Sequence, residues 1–392
     1  MSQLQPDRKA AFIPFAKPDI GEEEISAVVD VMRSGWLTTG PKVAEFERLF
    51  VEFLGSSRLE AVAVNSATAG LHLALEAAGI GPGDEVIVPT WTFTATAEVV
   101  RYLGASPVLV DVDPVSLCLD YRECERAITT KTKAIMPVHF GGLALERNAL
   151  ENLASENNLT VVEDAAHVLP GSTNGQIVGA GNSHATVFSF YATKTIATGE
   201  GGMVVTPYPD VAKRMRTMRL HGISKDVFNR YTSNTPSWYY EVVAPGFKYN
   251  MTDIAAAIGV VQLSRAWKLR EARERIAEEY FDAFSDLDLI LPTGGSVGDV
   301  HSWHLFVIRL GESVPLTREK FIEEMAKRGV SCSVHFIPLH MHPYWKSYCG
   351  YSADDFPVAT REYQRAVSLP IYPSMSMADR SQVIEAVRQV LS

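Results

Sequence analysis

Apolar positions along this chain keep two different periods. In GEEEISAVVDVMRSG (21–35), Ile25, Val28, Val29 and Met32 recur at three- and four-residue spacing behind a run of acids, and Gly35 closes the pattern; this predicts a helix. A second helix, about 41–54, opens on Pro41, a residue suited to a first helical turn. From about 60 to 206 helical stretches such as LHLALEAAG and TFTATAEVVRYLG (92–104) alternate with short β-branched runs at 61–64, 86–89, 107–111, 134–138 and 160–164. That alternation predicts an α/β fold with a mostly parallel sheet flanked by helices. Residues 186–190 and 202–206 read as two further strands with no long helix between them. Beyond a charged helical region at about 253–287 and a Gly/Ser/Pro-rich stretch at 291–299, the chain reads as a smaller α+β unit ending in the helix MADRSQVIEAVRQVLS. The expected division is a large α/β domain over 1–250, then connecting helices and a smaller C-terminal domain over 251–392.

Composition narrows the class. With 392 residues, 46% hydrophobic and 21% charged, the chain is a folded protein of ordinary make-up, too long for a stapled mini-domain. Thirty-six basic against 46 acidic residues leave a net charge of −10, so nothing draws the whole molecule to nucleic acid or an anionic membrane, and any bound phosphate must be held locally. Four cysteines without a CxxC pair argue for free thiols and against a zinc site. The N-terminus lacks the apolar core of a secretory signal and no stretch approaches a membrane span, so the expected location is the cytoplasm.

Candidate chemistry sits where strands end. Asp164 closes an apolar run, and the carboxyl ends of strands in open α/β sheets are where ligands bind. Lys194 follows the next strand, ending at Phe190, through a short loop of small residues. A lysine and a carboxylate converging in such a crevice suit pyridoxal 5'-phosphate: the amine forms the Schiff base, and the carboxylate keeps the pyridine nitrogen protonated. Either residue alone fits a blander part, Asp164 capping a loop and Lys194 pointing into water. Ser66-Ala67-Thr68-Ala69-Gly70, between a strand and a helix start, offers backbone N–H groups and the Thr68 hydroxyl to a phosphate, with Ser189 nearby; an ordinary helix cap fits the same residues. Neither GxxxxGK[ST] nor GxGxxG in a strand-turn-helix setting occurs, which removes the main support for a nucleoside triphosphatase or an NAD-dependent enzyme. His301, His304, His335, His340 and His342 lack the spacing and acidic partners of a metal site, so no metal is expected.

VNSATAGLHLAL, GDEVIVPTWTFTATA, VLVDVDP, PVHFGG, VVEDAAH, VFSFYATKTIATGEGGMVVT, LRLHGI and FKYNMTDIAAAIGVVQL, in this order, resemble the DegT-like family of nucleotide-sugar aminotransferases, from SGWLTTGP near 34 to SLPIYPSMS near 376. The resemblance implies the fold-type-I PLP architecture and a homodimer whose active sites are completed by the neighbour. It implies Lys194 as the Schiff-base lysine, Asp164 at the pyridine nitrogen, and Thr68, Ala69 and Ser189 at the phosphate. Phe93 falls where the family places an aromatic ring over the cofactor face, with Trp91 as the rival. His167 would support Asp164 or the cofactor's O3′ side, and Asn250 would reach the partner's phosphate, although an N-cap fits Asn250 as well. Trp36, His335 and His340 are the candidate substrate contacts. Tyr191 stands where many relatives have histidine.

The implied reaction moves an amino group from an amino acid, glutamate by resemblance, to a nucleotide-linked keto sugar. The stretch Ser34–Pro41 looks more like relatives acting at C4 than at C3. A dehydratase of the same fold has histidine in place of the lysine, so Lys194 favours amino transfer; a PLP-fold sensor without turnover is the other alternative.

Overall fold

The computed structural model describes residues 12–224 and 240–392; residues 1–11, at the terminus inspected for a signal, lie outside it. Two helices lead in, α1 (Glu22–Ser34) and α2 (Pro41–Leu54), within a residue of the expected bounds. Gly35 ends α1 in the left-handed conformation, with its N–H bonded to the Met32 carbonyl. The alternation then runs β1 (Glu60–Val64), α3 (Ala67–Ala77), β2 (Glu85–Pro89), α4 (Ala95–Tyr102), β3 (Ser106–Val110), α5 (Tyr121–Ala127), β4 (Thr132–Ile135), α6 (Arg147–Glu156) and β5 (Thr160–Asp164). A two-residue hairpin, β6 (Ser172–Thr173) and β7 (Gln176–Ile177), precedes β8 (Ala185–Ser189), β9 (Gly202–Thr206) and α7 (Pro209–Met218).

Seven strands form one sheet in the order β1-β9-β8-β5-β4-β2-β3. β3, β2, β4, β5 and β8 run parallel, and β9 is antiparallel to both β8 and β1. Six strands therefore deliver their carboxyl ends to one edge, and β9 delivers its amino end there. Burial on both faces explains the unbroken apolar runs: every residue of β8 and β9 is buried. Two glycines let α3 lie close on this sheet. A Cβ on Gly70 would stand 2.7 Å from Val187 Cγ1, and one on Gly202 would stand 2.8 Å from the Ala67 nitrogen.

The rest comprises α8 (Asp253–Ser264), α9 (Ala266–Phe284), β10 (Leu289–Ile290), β11 (Phe306–Leu310), α10 (Arg318–Lys327), α11 (Pro343–Cys349), α12 (Pro357–Arg365), β12 (Ala366–Leu369) and α13 (Met377–Leu391). β10, β11 and β12 make an antiparallel sheet whose core joins Tyr280, Phe284, Phe306, Phe321 and Val383. The core changes along the two helices that lead from the main sheet to the smaller one. Ala256, Leu263 and Leu269 still share a core with Phe46, Phe50 and Phe188, and only from Ile276 does α9 turn to the smaller sheet. α8 is apolar on most sides, and α1 and α2 supply the surfaces that bury it.

Candidate active site

Asp164 is the last residue of β5 and is buried at the sheet's carboxyl edge. The main chain fixes it on both sides: its N–H donates to the Pro137 carbonyl at 2.9 Å, and its carbonyl accepts from His139 N at 3.1 Å. Its carboxylate accepts from Thr96 Oγ1 at 2.9 Å and from the Ala166 N–H at 3.1 Å, while Thr96 is itself paired with Thr92 Oγ1 at 2.8 Å. Burial still outweighs these bonds and the nearby Lys194 charge, and holds the carboxyl above its ordinary pKa.

Lys194 lies on the loop joining β8 to β9. That loop is closed by Lys194 N to Tyr191 O and Thr198 N to Phe190 O, both 2.9 Å. The lysine nitrogen lies 3.4 Å from His304 Nε2. Burial pushes its pKa down to about 8; Asp164 opposes the shift and the Arg273 guanidinium adds to it. A partly neutral amine thus shares the crevice with a carboxylate short of positive charge, the combination that carbonyl capture and proton transfer require.

Histidines and aromatic rings wall the crevice. His167 accepts the Gly141 N–H at Nδ1, 3.3 Å away, and its ring centroid is 4.5 Å from His304 and 5.8 Å from Phe336. His335 pairs with Ser368 Oγ at 3.0 Å, and burial, with the Lys194 charge, pushes its pKa down to about 4. Phe93 is 55% exposed and meets Phe336 with centroids 5.5 Å apart, whereas its rival Trp91 is 1% exposed, donating Nε1–H to the His335 carbonyl. A ring free to cover a ligand is therefore Phe93.

The start of α3 forms the second half of the edge. Ser66 is the N-cap, and its Oγ accepts from the Ala69 N–H at 3.1 Å. Within the monomer, the Ala69 donor expected to face phosphate is thus engaged by the cap. The earlier first-turn donors, on Ala67 and Thr68, have no intrahelical partner, and the Thr68 side chain is half-buried beside them. Ser189 is buried at the end of β8 with its oxygen 3.4 Å from the Tyr191 N–H. Asn250 pairs with Val64 at the open side of β1, and its Nδ2 donates to Thr39 Oγ1 at 2.7 Å. The helix-capping residue there is Thr252, whose side chain caps α8.

Two expected contacts fare differently. His340 is not brought to the crevice as a free group: it is buried, Nδ1 meets Thr90 Oγ1 at 2.8 Å, Nε2 meets Thr360 Oγ1 at 3.1 Å, and the ring stacks on Phe356. With both nitrogens occupied it is a packing residue. Trp36 is half-buried, its indole lying over Gly40 and donating to the Thr39 carbonyl at 3.1 Å. Sequence reasoning missed Thr96, Arg273 and the part played by His304. Thr96 lies 68 residues from Asp164 and His304 lies 110 from Lys194, and no local period links either pair.

The sequence profile of the DegT/DnrJ/EryC1/StrS aminotransferase family matches residues 18–388. Spore coat polysaccharide biosynthesis protein SpsC of Bacillus subtilis is 46% identical over 383 residues, 97% of this chain and 97% of that protein. A Streptococcus pneumoniae protein assigned as a sugar aminotransferase, solved in its PLP form, superposes with a TM-score of 0.89 at 33% identity, over 97% of this chain and 100% of that one. Helicobacter pylori PseC, an aminotransferase involved in the biosynthesis of pseudoaminic acid, superposes with a TM-score of 0.87 at 26% identity, over 97% of this chain and 99% of that one. No helix among the described residues is long and apolar enough to cross a membrane.

Proposed function

The chain belongs to the DegT/DnrJ/EryC1/StrS aminotransferase family and is a PLP-dependent sugar aminotransferase, and on that premise we propose that it carries an amino group from L-glutamate to the C4 keto group of a nucleotide-linked sugar, with Lys194 as the catalytic base. The observation that carries this reading is the Lys194 amine, brought to about 8 by burial in the same crevice as Asp164. The C4 position rests on the resemblance of the stretch Ser34–Pro41 and the donor on the resemblance of the whole chain.

The residues present fit the cofactor. Asp164 is a buried anion whose raised pKa marks a shortage of positive charge, which a protonated pyridine nitrogen would relieve. The first-turn N–H groups of α3, with the Thr68 hydroxyl and Ser189, suit a phosphate at a helix N-terminus. Ala69 would join them as its N–H turns from Ser66. When bound, PLP supplies a carbonyl that captures the donor amine and a cationic ring that takes up the electron pair left at the donor Cα.

The rest is work for the chain. Asp164 would hold the proton on the ring nitrogen, with Thr96 and the Ala166 N–H fixing the direction of its carboxylate. Phe93 would cover one face of the ring and limit its tilt, and His167 would support Asp164 or the cofactor's O3′ side. With the cofactor bound, Lys194 Nζ would be the base that takes the proton from the donor Cα and the acid that returns a proton to the sugar carbon receiving the amine. Trp36 and His335 contact the substrate, and Asn250 serves the phosphate of a second copy in a homodimer. Glutamate offered with nucleotide-linked 4-keto and 3-keto sugars, with products read by mass spectrometry, tests the reading. Replacement of the carbonyl oxygen by an amine on the 4-keto compounds is expected; product from 3-keto compounds alone overturns the position, and no product from either overturns the reaction.

A further inference from the structure

Beside Lys194 sits a histidine that the reaction scheme leaves without a part. His304 is buried, its Nε2 is 3.4 Å from the lysine nitrogen, and its Nδ1 is enclosed with no hydrogen-bond partner. Its main chain is held by means out of proportion to a packing residue. Arg273 Nη1 donates to the carbonyls of Trp303, His304 and Ile371, the last at 2.7 Å. Arg273 is itself buried and, among the described residues, forms no ion pair with a carboxylate, and its Nε has no partner, a costly arrangement for a guanidinium. Trp303, directly before His304, adopts φ +50°, a conformation an L residue holds only when its surroundings impose it, and its N–H is tied to His301 Nδ1 at 2.8 Å.

We infer that His304 is a positioning residue that accepts a hydrogen bond from the free Lys194 amine and so aims its lone pair at the reacting carbon, with Arg273 fixing the main chain that carries the imidazole. The inference rests on Lys194 being the catalytic base. A neutral amine has two N–H donors and one lone pair; with one donor held by Nε2, rotation about the Cε–Nζ bond is restricted and the lone pair has a defined direction. Burial, the Lys194 charge and the neighbouring His167, Arg273 and His335 all disfavour protonated His304, so it is available as a neutral acceptor. Once Nζ has taken a proton, the same bond becomes charge-assisted and stabilises the ammonium until the proton is passed on.

The test compares H304Q, whose amide oxygen can still accept, with H304L, which cannot, and with H304N, a polar side chain too short to reach Nζ, should the leucine variant fail to fold. The donor half-reaction is followed with glutamate and with glutamate deuterated at Cα. Separately, the cofactor-free proteins are labelled with an amine-directed reagent across pH, reading the Lys194 peptide by mass spectrometry; Asp164, Arg273, His167 and His335 are the other charged or titratable groups facing that amine. In H304L and H304N, kcat is expected to fall by about tenfold or more with KM little changed. The deuterium effect is expected to rise, and the labelling midpoint to move down because the ammonium has lost an acceptor; H304Q recovers most of each. Wild-type kcat, isotope effect and labelling midpoint in H304L or H304N overturn the inference. Failure of the underlying reading shows separately: borohydride treatment of wild-type holoenzyme would then leave Lys194 unlabelled.

Discussion

Lys194 shows how much a single nitrogen depends on its surroundings. An amine with its usual pKa near 10.4 would be almost wholly protonated at neutral pH, whereas one at about 8 exposes on the order of a hundredfold more free base. The sign is plain: lowering pH below 8 removes free amine about tenfold per unit, and raising it above 8 soon saturates the gain. The rate at which cofactor-free protein takes up PLP is therefore expected to climb with pH to a midpoint near 8; a climb continuing to pH 10 would show an ordinary lysine. Both Lys194 and Asp164 were legible in the sequence because each follows an apolar run that had to be a strand, which places it at one edge. Thr96, Arg273 and His304 were not, since their significance comes from pairings that only the folded chain makes, across 68 residues for Thr96, 110 for His304, and 30, 31 and 98 for Arg273. His340 misled for the same reason: its partners Thr90 and Thr360 lie on segments whose meeting no spacing announces.

At the scale of elements, local chemistry reads well until a distant group substitutes for a local one. α1, α2, β5 and the terminal helix follow from periodicity and end signals, and β8 and β9 from their β-branched runs. The helix expected over 92–104 begins only at Ala95, because Thr92 and Thr94 turn their hydroxyls to Thr96 and Glu98. The charged region after 253 is two helices: Arg265 leaves the helical line at φ −101°, ψ −3°, and its guanidinium is taken by Asp19 and Glu24. The start of α2 is the clearest substitution. Its opening N–H groups receive no local cap; Asp253, from α8, accepts from Gly40 at 2.8 Å, Val43 at 3.0 Å and Lys42 at 3.1 Å. Removing a buried acceptor for three donors costs several times the usual cap, so D253A is expected to lose about 2–4 kcal/mol in urea unfolding. D253N, keeping one oxygen, should lose less; a variant within 0.5 kcal/mol of wild type, on the order of an ordinary surface change, would show that water replaces the carboxylate.

For the molecule as a whole, the exposed apolar residues matter most. Ile25, Met32 and Leu37 on and just after α1, with Val242 and Val243, are 46–63% exposed, more apolar surface than the interior needs. Asn250 lies beside β1, the outermost strand on that side of the main sheet. The homodimer proposed above would cover such residues and bring Asn250 to its neighbour, and sedimentation equilibrium is expected to report about twice 43.1 kDa. A single-chain mass at micromolar concentration would remove the dimer and leave Asn250 without its proposed phosphate.

Among the described residues β1 finds its only strand partner in β9, through the pairing of Glu60 with Thr206, and the residue that follows it, Asn65, bonds through its N–H to the Tyr249 carbonyl. During synthesis, then, the strand that aims α3 at the cofactor emerges early; α2 can meet it at once, Glu47 accepting from the Ala63 N–H, but its strand partner follows only after well over a hundred further residues. A ribosome stalled before Gly202 would carry Thr68, Ala69 and Ser189 and yet no cradle, so the newborn enzyme has to finish its sheet before the vitamin can be captured.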